Sequence, residues 1–247
     1  MTSATLAVNF HWQGAANLEE IVLKPSRTTL SLSPQQRKAA KQSWAESGGH
    51  ENKALWRYES LCLTGGTVLI HASSTTYHAH HYKQTHPTDI NFPHPIPIGV
   101  TALQITEDGY ALAGVQEFPY PAGPRLTLVG SGFMEQERDG TSVKSALTHE
   151  CLEETKYSCQ LDPAETAKVM AVITGTIGAL ITAIAIYVPV PLTSREVTIG
   201  SNEHRELVLI PTNKFNDILN GEDFGAIRPS CFLLGAIEAY TRQNISD

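Results

Sequence analysis

The sequence has few cysteines and few basic residues, and each shortage argues against a class of protein. Its four cysteines, at positions 62, 151, 159 and 231, show no CxxC spacing, so they indicate neither a structural zinc site nor a dense disulfide framework. The 18 lysines and arginines face 25 aspartates and glutamates, which gives a formal net charge of -7. A nucleic-acid-binding surface needs clustered positive charge, and we therefore expect no nucleic-acid partner.

Patterns for export and for membrane insertion are also missing. The stretch from Met1 to Gln13 lacks a basic region followed by an apolar run, so it predicts no signal peptide, and together with the scattered cysteines it favours a cytoplasmic protein. Residues 169–192 carry no charge and exceed the ~20 residues of a membrane-spanning helix. Because glycine and proline interrupt this run and β-branched residues are abundant in it, we predict instead two buried strands joined by a turn at 174–176, and no membrane partner.

Local patterns are more informative. With 41% hydrophobic residues over 247 positions, the chain can build a sizeable core. Ser33-Pro34-Gln35-Gln36 combines a capping serine, a proline and a capping-box glutamine, and predicts a helix to about Glu46. Further patterns predict hairpins at 56–73 and 98–117, a strand pair at 168–190, single strands at 125–129 and 206–210, and helices at 142–155 and 228–242.

The order of these elements predicts the fold class. Hairpins in place of regular βαβ units favour an α+β fold, in which a mixed β-sheet is sandwiched by helices. Three prolines between positions 92 and 97 indicate a boundary. We therefore divide the chain into a smaller N-terminal α/β lobe, residues 1–95, and a main domain, residues 96–247.

Three glutamates form the most suggestive cluster. Glu150, Glu153 and Glu154 lie at i, i+3 and i+4 of a predicted helix, and this spacing places them on one face. Clustered carboxylates repel one another, but they also offer the oxygen ligands that Mg²⁺ prefers. Taken alone, the motif favours a solvated acidic patch by roughly three to one, since short motifs match readily by chance. The sequence that precedes the helix changes those odds.

That preceding sequence, Leu128-Val129-Gly130-Ser131-Gly132-Phe133-Met134-Glu135, is an apolar strand end, a loop of small residues and a carboxylate. With the acidic helix it resembles the signature of the Nudix hydrolase superfamily, GX5EX7REUXEEXGU with U aliphatic, over residues 130–157. The resemblance implies a pyrophosphohydrolase that uses Mg²⁺ or Mn²⁺. It implies that Glu150, Glu153 and Glu154 hold the metal with the backbone carbonyl of Gly132, and that Glu150 or Glu154 accepts the proton of the attacking water.

The helix departs from this signature at two positions. His149 stands where the family has an arginine that helps to orient the glutamates, and Lys156 stands where it has the closing glycine. Histidine is shorter than arginine and titratable. These departures leave open a second interpretation, in which the chain is a catalytically weak or inactive Nudix-fold module that binds a nucleotide or a protein.

The loop departs from the signature in length. Glu150 follows Gly132 by 18 residues, where the signature has 15, so the loop is three residues longer. Counted back from the helix, the loop carboxylate falls on Thr141. If the extra residues lie later in the loop, Glu135 or Glu137 takes that place.

Short segments elsewhere resemble one branch of the superfamily, which is related to the mammalian UDP-glucose and UDP-galactose diphosphatase and has an N-terminal lobe and a relaxed signature. These segments are Leu18-Glu19-Glu20-Ile21, Leu55-Trp56-Arg57-Tyr58, Ser74-Thr75-Thr76-Tyr77 and Pro97-Ile98-Gly99-Val100. The resemblance implies hydrolysis of a UDP-sugar to UMP and a sugar 1-phosphate. ADP-ribose or a dinucleotide is the alternative substrate, and no oligomeric state follows from the sequence.

Histidines are dense between His78 and His94, and imidazole binds transition metals. Their irregular spacing favours a polar loop or helix face over a metal site by roughly four to one. Because the resembling branch has this stretch near its substrate, Tyr77 and His81 are candidate substrate contacts, together with Glu135 of the loop.

Overall fold

The computed structural model of the chain describes residues 8–49, 51–118, 123–157, 162–200, 203–221 and 227–243, so that Cys159 lies outside the described residues. The strands are β1 (Asn9–Ala16), β2 (Ile21–Thr29), β3 (Ala54–Thr64), β4 (Thr67–Thr76), β5 (Ile98–Thr106), β6 (Tyr110–Gln116), β7 (Arg125–Leu128), β8 (Ser131–Phe133), β9 (Thr155–Tyr157), β10 (Lys168–Ile177), β11 (Ala179–Val190), β12 (Val197–Ile199) and β13 (His204–Pro211). The helices are α1 (Pro34–Glu46), α2 (Tyr77–Thr85), α3 (Gln136–Asp139), α4 (Val143–Glu154), α5 (Phe215–Leu219) and α6 (Cys231–Gln243).

An eight-stranded mixed sheet forms the centre of the molecule. Six strands follow the order β1-β10-β11-β5-β6-β13, while β7 pairs with β6 and β8 with β5. Only the β11–β5 pair among these is parallel. Successive strand residues face opposite sides of a sheet, so Ile184 and Ile186 pack in one core with Leu147 of α4, whereas Ala183 and Ala185 pack in another with α6. The prediction of a mixed sheet between helices is confirmed.

A smaller sheet, in the order β2-β4-β3, accompanies α1 and α2, which pack on each other. Helix α1 begins where the capping box predicts. Ser33 Oγ accepts a hydrogen bond from Gln36 N at 3.2 Å, and Gln36 Oε1 accepts one from Ser33 N at 2.8 Å. Strand β1 belongs to the large sheet, because it pairs with β10. The division of the chain at residue 95 stays a prediction.

The apolar run at 168–190 forms the antiparallel pair β10 and β11, as predicted. The predicted turn at 174–176 is wrong, because these residues pair with residues 180–182 inside the ladder. The chain reverses at Gly178, whose φ of 74° suits glycine. Gly175 is needed for a different reason, the close packing of β10 on α6, because a Cβ at this position would lie 2.4 Å from Cys231 Sγ. Within the described ranges, no helix is long and apolar enough to cross a membrane.

Candidate functional site

A cavity of about 370 Å³ lies between strands of the large sheet, the carboxyl half of α4 and the start of α6. Part of its wall is charged, and the charged residues are Lys53, Glu135, Arg138, Glu150, Glu153 and Glu203. Another part is apolar, and includes Phe118, Leu128, Ile177, Ile181, Ala183 and Phe232. One ligand could thus meet both kinds of surface, which is typical of small-molecule sites.

Helix α4 brings two of the three predicted glutamates to this cavity. It starts after Ser142, whose Oγ accepts a hydrogen bond from Ser145 N at 3.1 Å. Glu150 and Glu154 are buried, with 7% and 1% of their surface exposed, while Glu153 is exposed. Glu150 and Glu153 line the cavity. The three residues therefore differ in environment although they share one helix face.

Glu154 binds the loop that leads into β8. Its Oε2 accepts hydrogen bonds from Gly130 N at 2.5 Å and Ser131 N at 3.1 Å, and His204 Nε2 lies 3.3 Å from the same oxygen. Its Oε1 is buried and has no hydrogen-bond partner among the described residues. Two backbone donors on one carboxylate hold the glycine loop against α4, so Glu154 has a clear structural task.

Glu150 faces the next part of the same loop. A Cβ on Gly132 would lie 2.2 Å from Glu150 Oε2, so only glycine leaves room for this carboxylate. Burial raises the pKa of Glu150 to about 8, and the negative charges of Glu154 and Glu203 act in the same direction, while Arg138 opposes them. A carboxylate whose pKa lies near neutrality and which lines a cavity is suited to proton transfer.

Arg138 was not predicted from the sequence. It lies in α3, within the loop that is longer than the signature, and its Nη2 donates a hydrogen bond to Glu150 Oε1 at 2.5 Å. Asp139 accepts from both Nε and Nη2 at 2.9 Å. Nothing in the local sequence marks this arginine, because its partner on α4 is 12 residues away along the chain.

Glu203 is a second residue that the sequence did not reveal. It precedes β13 and lines the cavity with the helix glutamates. Gln116 Nε2 donates to its Oε2 at 3.4 Å. Burial and the negative charge of Glu154 raise the pKa of Glu203. A distant segment of the chain thus adds a further carboxylate to the acidic face of α4.

The structure treats the three predicted substrate contacts differently. Tyr77 and Glu135 line the cavity, and Glu135 forms ion pairs with Lys53 at 3.0 Å and with Arg138 at 3.7 Å. His81 is not among the lining residues, because its ring packs edge-on against Trp44, at 5.2 Å between centroids. A contact between His81 and the substrate stays a prediction.

The first part of the histidine-rich stretch is helical, since α2 ends at Thr85, while His86 and His94 lie in the loop that follows. Thr76 caps α2, since its Oγ1 accepts from Ala79 N at 3.3 Å. The ring of His80 packs on Phe133 at 4.8 Å and that of His86 stacks on Tyr82 at 4.3 Å. Among the described residues, no three of these histidines come together as a metal site.

The three positions that depart from the signature are not among the residues that line the cavity. His149 is exposed and its Nδ1 donates to Asp139 Oδ1 at 2.8 Å. Thr141 is exposed between α3 and α4. Lys156 is exposed in β9, where it pairs with Thr198.

The donor atoms fit a hard divalent cation in their chemistry. Carboxylate oxygens are the ligands that Mg²⁺ and Mn²⁺ prefer, and Glu150, Glu153 and Glu203 line one cavity. Glu154 does not line this cavity, but its Oε1 is a further carboxylate oxygen that is buried and without a hydrogen-bond partner among the described residues. In the part of the chain that the structure describes, no three His, Cys, Asp or Glu side chains are already drawn together as a ready-made metal site.

We expect the metal-free protein to lose stability as the pH rises from about 5 to about 8. The pKa of Glu150 is about 8 in the folded protein against its usual value of 4.5. A raised pKa of an acid contributes stability that is complete below the usual value and is lost as the pH rises through the folded-state value. Calorimetry without divalent ions should show a melting temperature that falls across this window.

In the Glu150→Gln variant, the melting temperature should fall less between pH 5 and pH 8. Some decrease should remain, because the pKa of Glu203 is also raised. Glu238→Gln is the matched control, because Glu238 pairs with Arg242 on α6 and does not line the cavity. Equal pH slopes for the wild type and Glu150→Gln would contradict this expectation.

No family model matches the sequence, and no curated protein matches it. Several solved structures do match. The NUDIX domain of Shewanella oneidensis NrtR, complexed with ADP ribose, is 14% identical, with a TM-score of 0.45 over 62% of this chain and 92% of that chain. The MutT protein from Methanosarcina mazei Go1 is 19% identical, with a TM-score of 0.41 over 62% of this chain and 98% of that chain. A NUDIX hydrolase from Nitrosomonas europaea is 17% identical, with a TM-score of 0.41 over 59% and 88%.

Proposed function

We propose that this chain is a Nudix-type pyrophosphohydrolase, which cleaves a nucleoside diphosphate linked to another group and uses Mg²⁺ or Mn²⁺. One observation carries the proposal. The buried carboxylate of Glu150 is seated against Gly132 in the wall of a cavity that Lys53 also lines. A carboxylate suited to proton transfer and a cation suited to phosphate, within one cavity, are what hydrolysis of a diphosphate requires.

In this proposal the residues of the cavity wall have three roles: binding the metal ion, binding phosphate and accepting a proton. Glu150, Glu153 and Glu203, with the carbonyl of Gly132, would hold the divalent ion. When bound, the ion would neutralise the diphosphate and lower the pKa of a water molecule. Lys53 lies at the charged wall and would bind phosphate oxygens. Glu150 would take up a proton as water adds to phosphorus and the bridging P–O bond breaks.

Glu154 would act differently in this proposal. Its Oε2 holds the backbone of Gly130 and Ser131, so it fixes the loop on which Gly132 lies. Its second oxygen, Oε1, remains available to the ion.

Within this class, we propose a UDP-sugar as substrate, giving UMP and a sugar 1-phosphate. The apolar wall, which includes Phe118 and Phe232, suits the flat face of a base. Gln116, Thr127 and Ser230 also line the cavity and supply polar groups that could bind the edge of a base or a hydroxyl. The resemblance to the UDP-sugar branch in the segments outside the signature supports the choice of base.

A substrate panel tests this proposal. UDP-glucose, ADP-ribose and a dinucleoside polyphosphate are incubated with the enzyme, with and without Mg²⁺, and a coupled phosphatase converts each released monophosphate to phosphate. We expect phosphate from UDP-glucose, and only when Mg²⁺ is present. Release confined to ADP-ribose or the dinucleotide would overturn the UDP-sugar assignment while leaving the pyrophosphohydrolase in place.

A second function has its own observation. A module that binds a nucleotide without cleaving it is favoured by the departures from the signature at His149, Thr141 and Lys156, which are exposed and do not line the cavity. Calorimetric binding of UDP-glucose with no turnover by the wild type would favour this binding module.

A further inference from the structure

We infer that Arg138 is a positioning residue for Glu150, and that α3 supplies to this site the arginine that α4 lacks. The inference rests on the proposed function, because it concerns the residue that we place at the reacting atoms. It assigns a task to the loop that makes this chain longer than the Nudix signature.

The contacts of the guanidinium carry the inference. Arg138 Nη2 donates to Glu150 Oε1 at 2.5 Å and to the carbonyl of Phe133 at 3.1 Å. Its Nε and Nη2 donate to Asp139 at 2.9 Å. Because the guanidinium is planar and its donors are fixed in a fork, contacts with three different groups set its orientation. One oxygen of the Glu150 carboxylate is thereby held at a defined place in the cavity wall.

Asp139 is in turn fixed by groups around it. The Asp139 side chain is fully buried. It accepts hydrogen bonds from Glu135 N at 2.9 Å and from His149 Nδ1 at 2.8 Å. Although burial acts in the other direction, the hydrogen bonds from Arg138 and His149 hold the pKa of Asp139 below its usual value. Asp139 therefore remains a charged anchor for the guanidinium.

This chain of contacts explains the departure at position 149. His149 contacts Asp139, and Asp139 contacts Arg138, which contacts Glu150. The helix position that bears an arginine in the signature is thus linked to Glu150 through two intermediate side chains. The lengthened loop, which contains α3, brings the guanidinium to Glu150 directly.

Kinetics distinguish positioning from simple pairing. We expect Arg138→Gln to lower kcat by about 10- to 100-fold, the usual range for a residue that orients a first ligand or base, with KM changed by less than about threefold. Arg138→Lys keeps the charge but not the fork, and should recover only part of the lost kcat. Arg242→Gln is the matched control, because it removes an arginine paired with a glutamate, Glu238, outside the cavity. It should leave kcat and KM unchanged.

A second measurement does not depend on turnover. Melting temperatures of the metal-free Arg138→Gln, Glu150→Gln and double variants form a double-mutant cycle, and the fall caused by Arg138→Gln should be smaller when position 150 is glutamine. Additive falls, an unchanged kcat in Arg138→Gln, or an effect confined to KM would each overturn the inference. If the wild type itself shows no turnover, the proposed function fails, and the cycle still tests the Arg138–Glu150 pairing.

Discussion

Replacing Glu150 by glutamine is expected to reduce kcat by about 1000-fold, within the range that a positioned acid–base group contributes. Glutamine keeps the size of the side chain, so Gly132 still accommodates it. The amide cannot take up a proton from water and carries no charge for a divalent ion. The change is measured as the initial rate of nucleoside monophosphate release at saturating substrate and Mg²⁺.

The controls for Glu150→Gln separate chemistry from folding. Because burial disfavours the ionised carboxylate of Glu150, the metal-free variant should be at least as stable as the wild type at pH 8. Glu154→Gln should also lose activity, but it should lower the melting temperature, since Gly130 and Ser131 lose a charged acceptor. Glu238→Gln should match the wild type. If Glu150→Gln keeps its rate within about threefold, Glu150 is not the catalytic residue.

Replacing Gly132 by alanine is expected to lower kcat by about 100-fold, since a displacement of about 1 Å at a reacting group can have an effect of this size. The new Cβ would lie 2.2 Å from Oε2 and 2.3 Å from Cδ of Glu150. The cheapest relief is movement of that carboxylate, because it is the far end of a flexible side chain. Activity should therefore fall much more than stability, which is measured as the melting temperature.

Gly14→Ala is a matched control for Gly132→Ala. Gly14 also lies in a strand of the large sheet, and a Cβ there would lie 2.7 Å from the indole of Trp12. Neither Gly14 nor Trp12 lines the cavity, so kcat of Gly14→Ala should equal that of the wild type even if the melting temperature changes. If Gly132→Ala keeps the kcat of the wild type, catalysis does not depend on the position of the Glu150 carboxylate seen in the structure.

Local signals predicted much of the fold. The capping box of α1 is formed by neighbours in sequence, and the uncharged run rich in Val, Ile and Thr over residues 169–190 is typical of strands that are buried on both faces, as β10 and β11 are. The turn between these strands could not be read correctly, because Gly175 and Gly178 look alike in sequence. Gly175 is glycine on account of Cys231 in α6, whereas Gly178 is glycine on account of its backbone angle.

The site was predictable only where its residues are close in sequence. Spacing along α4 was enough to place Glu150, Glu153 and Glu154 on one face, but not to show that Glu154 binds the glycine loop while Glu150 faces the cavity. Arg138 and Glu203 reach this face from α3 and from the segment before β13. No periodicity or motif links such residues, since only the packing of the sheet brings them together.

The most direct test of metal-dependent hydrolysis is the release of UMP from UDP-glucose by the wild-type chain, followed by chromatography before and after chelation with EDTA. We predict UMP and glucose 1-phosphate in equal amounts when Mg²⁺ is present, none after EDTA, and recovery when Mg²⁺ is added back in excess. Equal release with and without EDTA would contradict the part assigned to the metal. Absence of any monophosphate from UDP-glucose, ADP-ribose and a dinucleoside polyphosphate, with Mg²⁺ or Mn²⁺ present, would contradict the proposed hydrolase.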